Sequence, residues 1–527
     1  LGSAALVVVL VGLLAVLQHR GGSRADRLVM YCAAGAQDPV ELIAQQYEDE
    51  YGVSVELQYG GSGELLNQMA INKFDNADLF LAADSFYTDS AREKGLAAEV
   101  LPIGHMRPVI AVRKDNSKSI RSLQDLLRDD VGVVLGNSDG PAIGRTTKER
   151  LEQVPRGDST FWAALEKHVT KRGVFKPTVN DVARDVKLGS MDAGIVWDTT
   201  VAMPKFRDEL RAIAVPELEG DPSLAGISVL ASSQRPTDAL KFARFLTARD
   251  RGLPVFEEYG FRPVEGDVWA ERPQLTFFCG AVNRRAVEKI VDDFQAREDV
   301  EIKTIFEGCG TLTGLMKTMK DQGSESGFPD FYMACDVYYL ENVKQWFQEA
   351  ANVSDTEIVL AVPKGSKRVT QLSDIVKPGI RVAVGEPDRC TIGALTRRLL
   401  QREGLYERLK AKQKEPGELV VEKLSSAHLV PDIVTDNVDV AVAYITDVLA
   451  NRDEVDIVRI DSPLNIAVQP FSISRSSDFK YLTRRLFRRI ANSPEAFERV
   501  GFHFRLDESA GDPATDGRED RETEEGP

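Results

Sequence analysis

Apolar residues in this chain fall into short continuous runs separated by stretches of helical spacing, and the alternation begins near residue 28. LVMYCAA (28–34) is a continuous apolar run of strand type. PVELIAQQYEDEYG (39–52) carries apolar side chains at Val40, Leu42, Ile43 and Tyr47, a helical spacing, and stops at Gly52. VSVELQY (53–59) alternates, as a strand with one buried face does. GGSG (60–63) then opens ELLNQMA, a second helix, and ADLFLAAD (77–84) is a third strand. This order predicts an α/β lobe with helices on a mostly parallel sheet. A second lobe follows: PVIAVRK a strand, SLQDLL a helix, VGVVLG a strand, GPAIGRTTKERL a loop opening a helix, NDVARDVKLG a helix and DAGIVW a strand. Lobes of this kind place ligands at the carboxyl ends of the strands, where the helices begin.

The whole pattern occurs twice. An offset of 247 residues lays 28–69 on 275–316 without a gap, and Leu28, Cys32, Ala34, Val40, Glu41, Ile43, Val53, Gly61, Gly63, Leu65 and Met69 all recur. With small changes of offset, ADLFLAADSFY (77–87) meets PDFYMACDVYY (329–339), and LGNSDGPAIGRTTKERL (135–151) meets VGEPDRCTIGALTRRLL (384–400). SMDAGIVWDTTV (190–201) likewise meets NVDVAVAYITDV (437–448). A repeat this long is a whole domain used twice rather than a solenoid unit. Two modules, 28–268 and 275–506, are expected, with the join near Val264–Pro273. Each is large enough to bury its own core.

Outside the modules, LGSAALVVVLVGLLAVLQ (1–18) is free of charge and is followed by HRGGSRADR. Its length fits a bilayer span or a secretory apolar region, so residues 1–20 are expected to be an N-terminal hydrophobic helix acting as signal or membrane anchor. Export to the periplasm or cell envelope follows from that expectation. Residues 507–527, acidic and without aromatics, read as a disordered tail.

The net charge of −16, from 66 basic and 82 acidic residues, argues against nucleic acid or anionic lipid as partner. It does not exclude a small anion, because backbone N–H groups can hold one. The five histidines are scattered, and the chain has no GxSxG, Walker A or GxGxxG motif. No catalytic residues are assigned, and an enzyme is not expected.

Three segments share one form, strand then small residues then helix: CAAGAQDP, YGGSGELL and SDGPAIGRTT. Each leaves first-turn N–H groups unpaired at a strand end, with the positive end of the helix dipole pointing the same way. Several such termini converging on a cleft suit a tetrahedral dianion.

Together with VKLGSMDAGIVW and FEEYGFRP, these segments resemble the periplasmic molybdate-binding proteins of ABC importers, which are type II periplasmic binding proteins. The resemblance covers 28–268 and, more loosely, 275–506. It implies an α/β fold class of two tandem type II modules, each with two lobes around a ligand cleft. In that family molybdate or tungstate is held by hydroxyls and backbone amides. Carried over, the family's first serine falls on Gly35, beside Ala36, so that hydroxyl is absent and a backbone N–H remains. The second serine falls on Ser62 and is kept. The two amide positions fall on Ile143 and Val179, and the family's tyrosine falls on Trp197, which retains only a donor. In the second copy the matching positions are Val282 with Asn283, Cys309, Ile392, Ser426 and Tyr444. Copy one keeps the serine and lacks the tyrosine; copy two restores the tyrosine and has a cysteine for the serine.

Each of these residues has a plainer reading as well. Ser62 fits an N-cap, and Trp197 fits a core residue. Cys279, Cys309, Cys335 and Cys390 lie at strand ends or helix starts. They read as small buried filler, with Cys32 the counterpart of Cys279, or alternatively as thiolates for a soft metal such as Cu(I) or Zn. No metal site is assigned, no cofactor is expected, and the ligand expected is molybdate or tungstate. Arg145, Arg284, Arg285 and Arg389 near the cleft loops read as solvated rim charges. The resemblance implies a monomeric solute-binding protein serving an ABC permease. The alternative is a membrane-anchored envelope sensor or scaffold with one or both clefts repurposed.

Overall fold

The computed structural model describes residues 27–71 and 77–506. The expected anchor or signal at 1–20 and the expected tail at 507–527 lie outside the described residues. Among the described residues no helix is long and apolar enough to cross a membrane. The chain divides between Glu271 and Arg272 into two units.

In the first unit the chain runs β1 (Arg27–Ala33), α1 (Gln37–Tyr51), β2 (Ser54–Gly60), α2 (Ser62–Ile71), β3 (Leu79–Ala82), α3 (Ser85–Glu93) and β4 (Ala97–Met106). β1 pairs in parallel with β2 on one edge and with β3 on the other. It is covered on both faces, which is why its sequence is a continuous apolar run. β2 lies at the sheet edge and alternates. α1 ends where the pattern predicts, with Gly52 in the left-handed region at φ 69°.

The chain then crosses into a second lobe of β5 (Pro108–Arg113), β6 (Val133–Gly136), α4 (Ala142–Glu152), β7 (Gly173–Lys176), α5 (Val179–Lys187), β8 (Ala193–Trp197) and β9 (Leu210–Ile213). Its sheet order is β9-β5-β8-β6-β7. The segment SLQDLL, expected as a helix, is only a 3-10 turn at Gln124–Leu127. The chain returns through β10 (Ser223–Leu230), which lies antiparallel between β3 and β4, followed by α6 (Pro236–Leu246) and the edge strand β11 (Arg262–Pro263). The first sheet is thus β11-β4-β10-β3-β1-β2. Each module therefore has the two α/β lobes that the repeat implied.

The second unit repeats this order: β12 (Gln274–Gly280), α7 (Arg284–Glu298), β13 (Glu301–Glu307), α8 (Cys309–Asp321), β14 (Phe331–Met333), α9 (Val337–Glu341), β15 (Phe347–Pro363), β16 (Val382–Gly385), α10 (Thr391–Arg402), β17 (Val420–Lys423), β18 (Val440–Tyr444), β19 (Val455–Arg459) and β20 (Ile466–Ser474). β12 lies parallel between β13 and β14, and β20 runs antiparallel to β14, matching the first unit strand for strand.

One difference concerns the crossing between lobes. In the second unit it is the single 17-residue strand β15, which pairs with β20 of one lobe and β18 of the other. In the first unit the crossing breaks at Arg107, between β4 and β5. Asp198 holds the chain at the break: its Oδ1 accepts the Arg107 N–H at 2.9 Å, and its own N–H donates to the Arg107 carbonyl at 2.8 Å. The matching residue of the second unit is Ile445, which has no side-chain acceptor.

Replacing Asp198 by Ala removes that acceptor and is expected to cost about 1–2 kcal/mol of stability, with Asn costing less. Denaturant unfolding of the full chain measures both variants.

Candidate functional site

Three strand–helix junctions of the first module meet at the carboxyl ends of the strands. The first is a buried 3-10 turn, Ala34–Ala36. The second is Gly61–Gly63 and the third is 137–141. Glycine at 61 and 63 is a packing requirement. A Cβ on Gly61 would lie 2.8 Å from the Gly140 carbonyl carbon, and one on Gly63 would lie 2.8 Å from the Asp139 and Gly140 carbonyl oxygens. The Gly63 N–H donates to the Gly140 carbonyl at 2.8 Å, so the two lobes touch backbone to backbone.

Ser62 is the first residue of α2 and is buried. It does not cap its own helix. Its Oγ accepts the Ala83 N–H, from the β3–α3 junction, at 3.1 Å. That contact uses a lone pair and leaves the hydroxyl proton to donate. Ile143 is the second residue of α4, and Val179 is the first residue of α5, capped by Thr178, whose Oγ1 accepts the Asp181 N–H at 3.2 Å. Their amides belong to helix first turns, which have no partner within the helix. Asn180 Nδ2 donates to the Ala34 carbonyl at 2.7 Å, a second tie between the lobes.

Gly35, Val179 and Trp197 are brought together. A Cβ on Gly35 would lie 3.2 Å from Val179 Cγ1 and 3.6 Å from Trp197 Cδ1. Trp197 is 1% exposed, which is the plainer, core reading of this residue. The tight approach is that of Val179; the indole lies at an ordinary van der Waals distance. In the second module Val282 stands for Gly35 and Tyr444 for Trp197, and both are buried.

Two ion pairs across the first cleft were missed by sequence reasoning. Arg145 on α4 reaches Asp84, the N-cap of α3, at 2.7 Å, while also pairing with Glu149 and lying 4.0 Å over the Phe86 ring. Lys205 meets Asp38 of α1 at 2.6 Å. The Arg145–Glu149 spacing was legible as a helical pair; Asp84, 61 residues away, was not. Arg145 is thus a latch between lobes rather than a solvated rim charge. Arg284 does stay on its own helix, paired with Glu288.

In the second module Cys309 opens α8 and takes over the role of Ser62. Its sulfur accepts the Cys335 N–H at 3.0 Å, as Ser62 accepts that of Ala83. Asn283, in place of Ala36, turns its amide onto the Ala334 carbonyl at 3.2 Å. Ile392 is the second residue of α10 and is buried. Ser426, in place of Val179, opens the 3-10 turn Ser426–His428 and is buried. Burial raises the Asp447 carboxyl from 3.8 to about 6, against the opposing pull of the Ser426 hydroxyl and the Arg285 charge. The Tyr444 hydroxyl, Asn283 Oδ1, Thr391 Oγ1 and Asp447 Oδ2 are buried without a hydrogen-bond partner among the described residues. All five cysteines are free and buried. Among the described residues no group of three or more His, Cys, Asp or Glu side chains is placed to hold a metal ion.

Comparison with known proteins gives the same doubling. The family model described as bacterial extracellular solute-binding protein matches residues 28–262 and again 275–502. The molybdate-binding protein ModA of Mycobacterium tuberculosis is 28% identical over 239 residues, spanning 45% of this chain and 85% of that protein. Among solved structures, the periplasmic molybdate-binding protein of Azotobacter vinelandii matches at 15% identity over 44% of this chain and 98% of its own, with a TM-score of 0.36. The fructose-6-phosphate-bound AfuA of Actinobacillus pleuropneumoniae matches at 18% identity over 45% and 84%, with a TM-score of 0.40.

Gly35→Ser is expected to cost roughly 1–3 kcal/mol by overpacking against Val179, and adding Val179→Ala to it should recover part of that. Denaturant unfolding of the single and double variants tests the coupling. For Asp447, the folded state binds the proton more tightly than the unfolded chain. Its contribution is complete below pH 3.8 and is lost as the pH rises through about 6, a change of about 3 kcal/mol. Asp447→Asn should flatten that loss, read by hydrogen exchange of residues 440–449 across the same pH range.

Proposed function

Because the chain belongs to the bacterial extracellular solute-binding protein family, we propose that its first module is a clamp for a tetrahedral oxyanion, molybdate or tungstate, serving an ABC-type permease. The observation that carries this reading is the Ser62 hydroxyl. It is buried at the meeting point of two lobes, its lone pair is taken by the Ala83 N–H, and its proton remains to be given. The proposed site adds the Gly35–Ala36 turn, the first-turn amides of Ile143 and Val179, and the Trp197 indole; the contact of Gly35 with Val179 and Trp197 supports that grouping.

This donor set suits a fully ionised dianion. It offers N–H and O–H groups without a carboxylate, and it needs no cation because oriented amides and helix dipoles supply the positive potential. Arg145 and Lys205, which are spent on Asp84 and Asp38, serve closure rather than charge neutralisation. Binding would then draw the lobes together about the crossing strands, as in other two-lobed clamps.

The second module differs at the position that matters most. A thiol is a poor donor, so Cys309 weakens an oxyanion site where Ser62 supports one. The full chain should therefore bind one equivalent of molybdate or tungstate, through its first module. Titration calorimetry on the full chain tests this. Ser62→Ala should weaken the site by roughly 1.5–3 kcal/mol, the value of a hydrogen bond to a charged group. Absence of any heat or thermal shift with either anion would remove the assignment.

A further inference from the structure

Comparing the two copies residue by residue isolates a group of changes that converge on one point of the second module. Cys309 stands for Ser62 and Cys335 for Ala83, placing two sulfurs 2.8 Å apart. Gly280 stands for Ala33, and that lost methyl makes the room. A Cβ on Gly280 would lie 2.2 Å from the Cys335 sulfur and 2.8 Å from the Cys309 sulfur. Tyr332 stands for Phe80 and Thr391 for Ala142, so two hydroxyls appear where the first module has none. Both hydroxyls are buried without a hydrogen-bond partner among the described residues, and they favour the charged form of the sulfurs, Tyr332 that of Cys309 and Thr391 that of both. Each change adds a sulfur, a donor to a sulfur, or space for one. Filler cysteines would not need hydroxyl donors gathered around one of them.

We propose that Cys309 and Cys335 form a redox-active dithiol, with Cys309 the attacking and Cys335 the resolving sulfur, that closes to a disulfide on reaction with a hydroperoxide. The two sulfurs have unequal surroundings: Cys309 is the first residue of α8 and its sulfur accepts the Cys335 N–H at 3.0 Å, both of which favour a thiolate there. Burial alone would raise the Cys309 thiol, but the Cys335 thiol, the Tyr332 hydroxyl, the Cys335 N–H and the Thr391 hydroxyl outweigh it and lower it. Burial and the adjacent Cys309 charge push the Cys335 thiol well up. An attacking thiolate beside a protonated resolving thiol is the arrangement that disulfide closure requires.

The chemistry balances without any group from the protein beyond these two. The Cys309 thiolate attacks one peroxide oxygen; the S–O bond forms, the O–O bond breaks, and the departing hydroxide takes up a proton as water. The Cys335 sulfur then attacks the Cys309 sulfenic acid. The S–S bond forms, the S–O bond breaks, and the hydroxyl leaves with the Cys335 proton as a second water. The two sulfurs lose two electrons and the peroxide oxygens gain them. The first module cannot do this, since Ser62 and Ala83 offer no thiol.

The test uses the full chain, fully reduced and freed of reductant, exposed to one equivalent of hydrogen peroxide, then denatured and alkylated. The expected result is loss of two of the five alkylatable thiols, with one cross-linked peptide pair containing Cys309 and Cys335. Cys335→Ala should stop at a sulfenic acid on Cys309, captured by dimedone, and Cys309→Ser should give neither product. Both substitutions restore residues that the first module carries, and a thermal melt checks that each variant folds. If Cys309→Ser does not fold, the dimedone adduct in Cys335→Ala carries the test. All five thiols remaining alkylatable, a cross-link to Cys279 or Cys390, or unchanged cross-linking in Cys309→Ser overturns the proposal. The outcome is independent of what the first module binds.

Discussion

The contact on which both modules turn is a single amide hydrogen bond across two strand–helix junctions. In the first module the Ala83 N–H donates to the Ser62 side chain, and in the second the Cys335 N–H donates to the Cys309 side chain. The bond fixes the start of one helix against the end of the neighbouring strand, at the carboxyl edge where the lobes meet. It consumes an acceptor and spares a proton. With oxygen in that place, the spared proton belongs to a good donor and the site suits an oxyanion. With sulfur, the spared proton is a weak donor and an easily lost one, and the site suits thiol chemistry.

Neighbouring substitutions follow from that choice through volume and polarity. Gly35, Val179 and Trp197 of the first module are matched by Val282, Ser426 and Tyr444 of the second, so the volume gained at the first position is lost at the other two. Gly280 in place of Ala33 answers the bulk of two sulfurs. Close-packed interiors do not allow one of these positions to change alone. The same reasoning applies to the latches. Arg145 becomes Ala394 in the second module while Asp84 persists as Asp336. Without that partner the Asp336 carboxyl is raised by burial; it keeps the capping bond from the Tyr338 N–H, as Asp84 does from Phe86, and gains the Val468 N–H. The two clefts are thus held by different electrostatics on one backbone plan.

Much of the plan was readable in the chain. The doubly covered strand β1 announces itself as an unbroken apolar run, and α1 by its spacing and its terminating Gly52. Strand β10 escaped notice, as did the long crossing strand β15. β15 begins with the polar stretch FQEAANVSDTE, in which burial is irregular, and such a stretch has neither the run nor the alternation of a strand. The turn at Gln124–Leu127 was read as a helix because its apolar spacing is helical over too few residues to decide. At the site, the junctions and Ser62 were legible from the small residues between strand and helix. Its partner Ala83 was not, since an alanine backbone amide leaves no trace in a sequence.

What the sequence determined by itself was the doubling, the strand–helix order and the position of each junction, because these rest on periodicity and on turn residues, which are local. What only the tertiary structure decided was which side chains face one another across a junction. The pairing of Cys309 with Cys335 and of Arg145 with Asp84 joins residues far apart in the chain. Their partners are chosen by the register of a parallel sheet and by the closeness of two lobes, neither of which is written in local spacing.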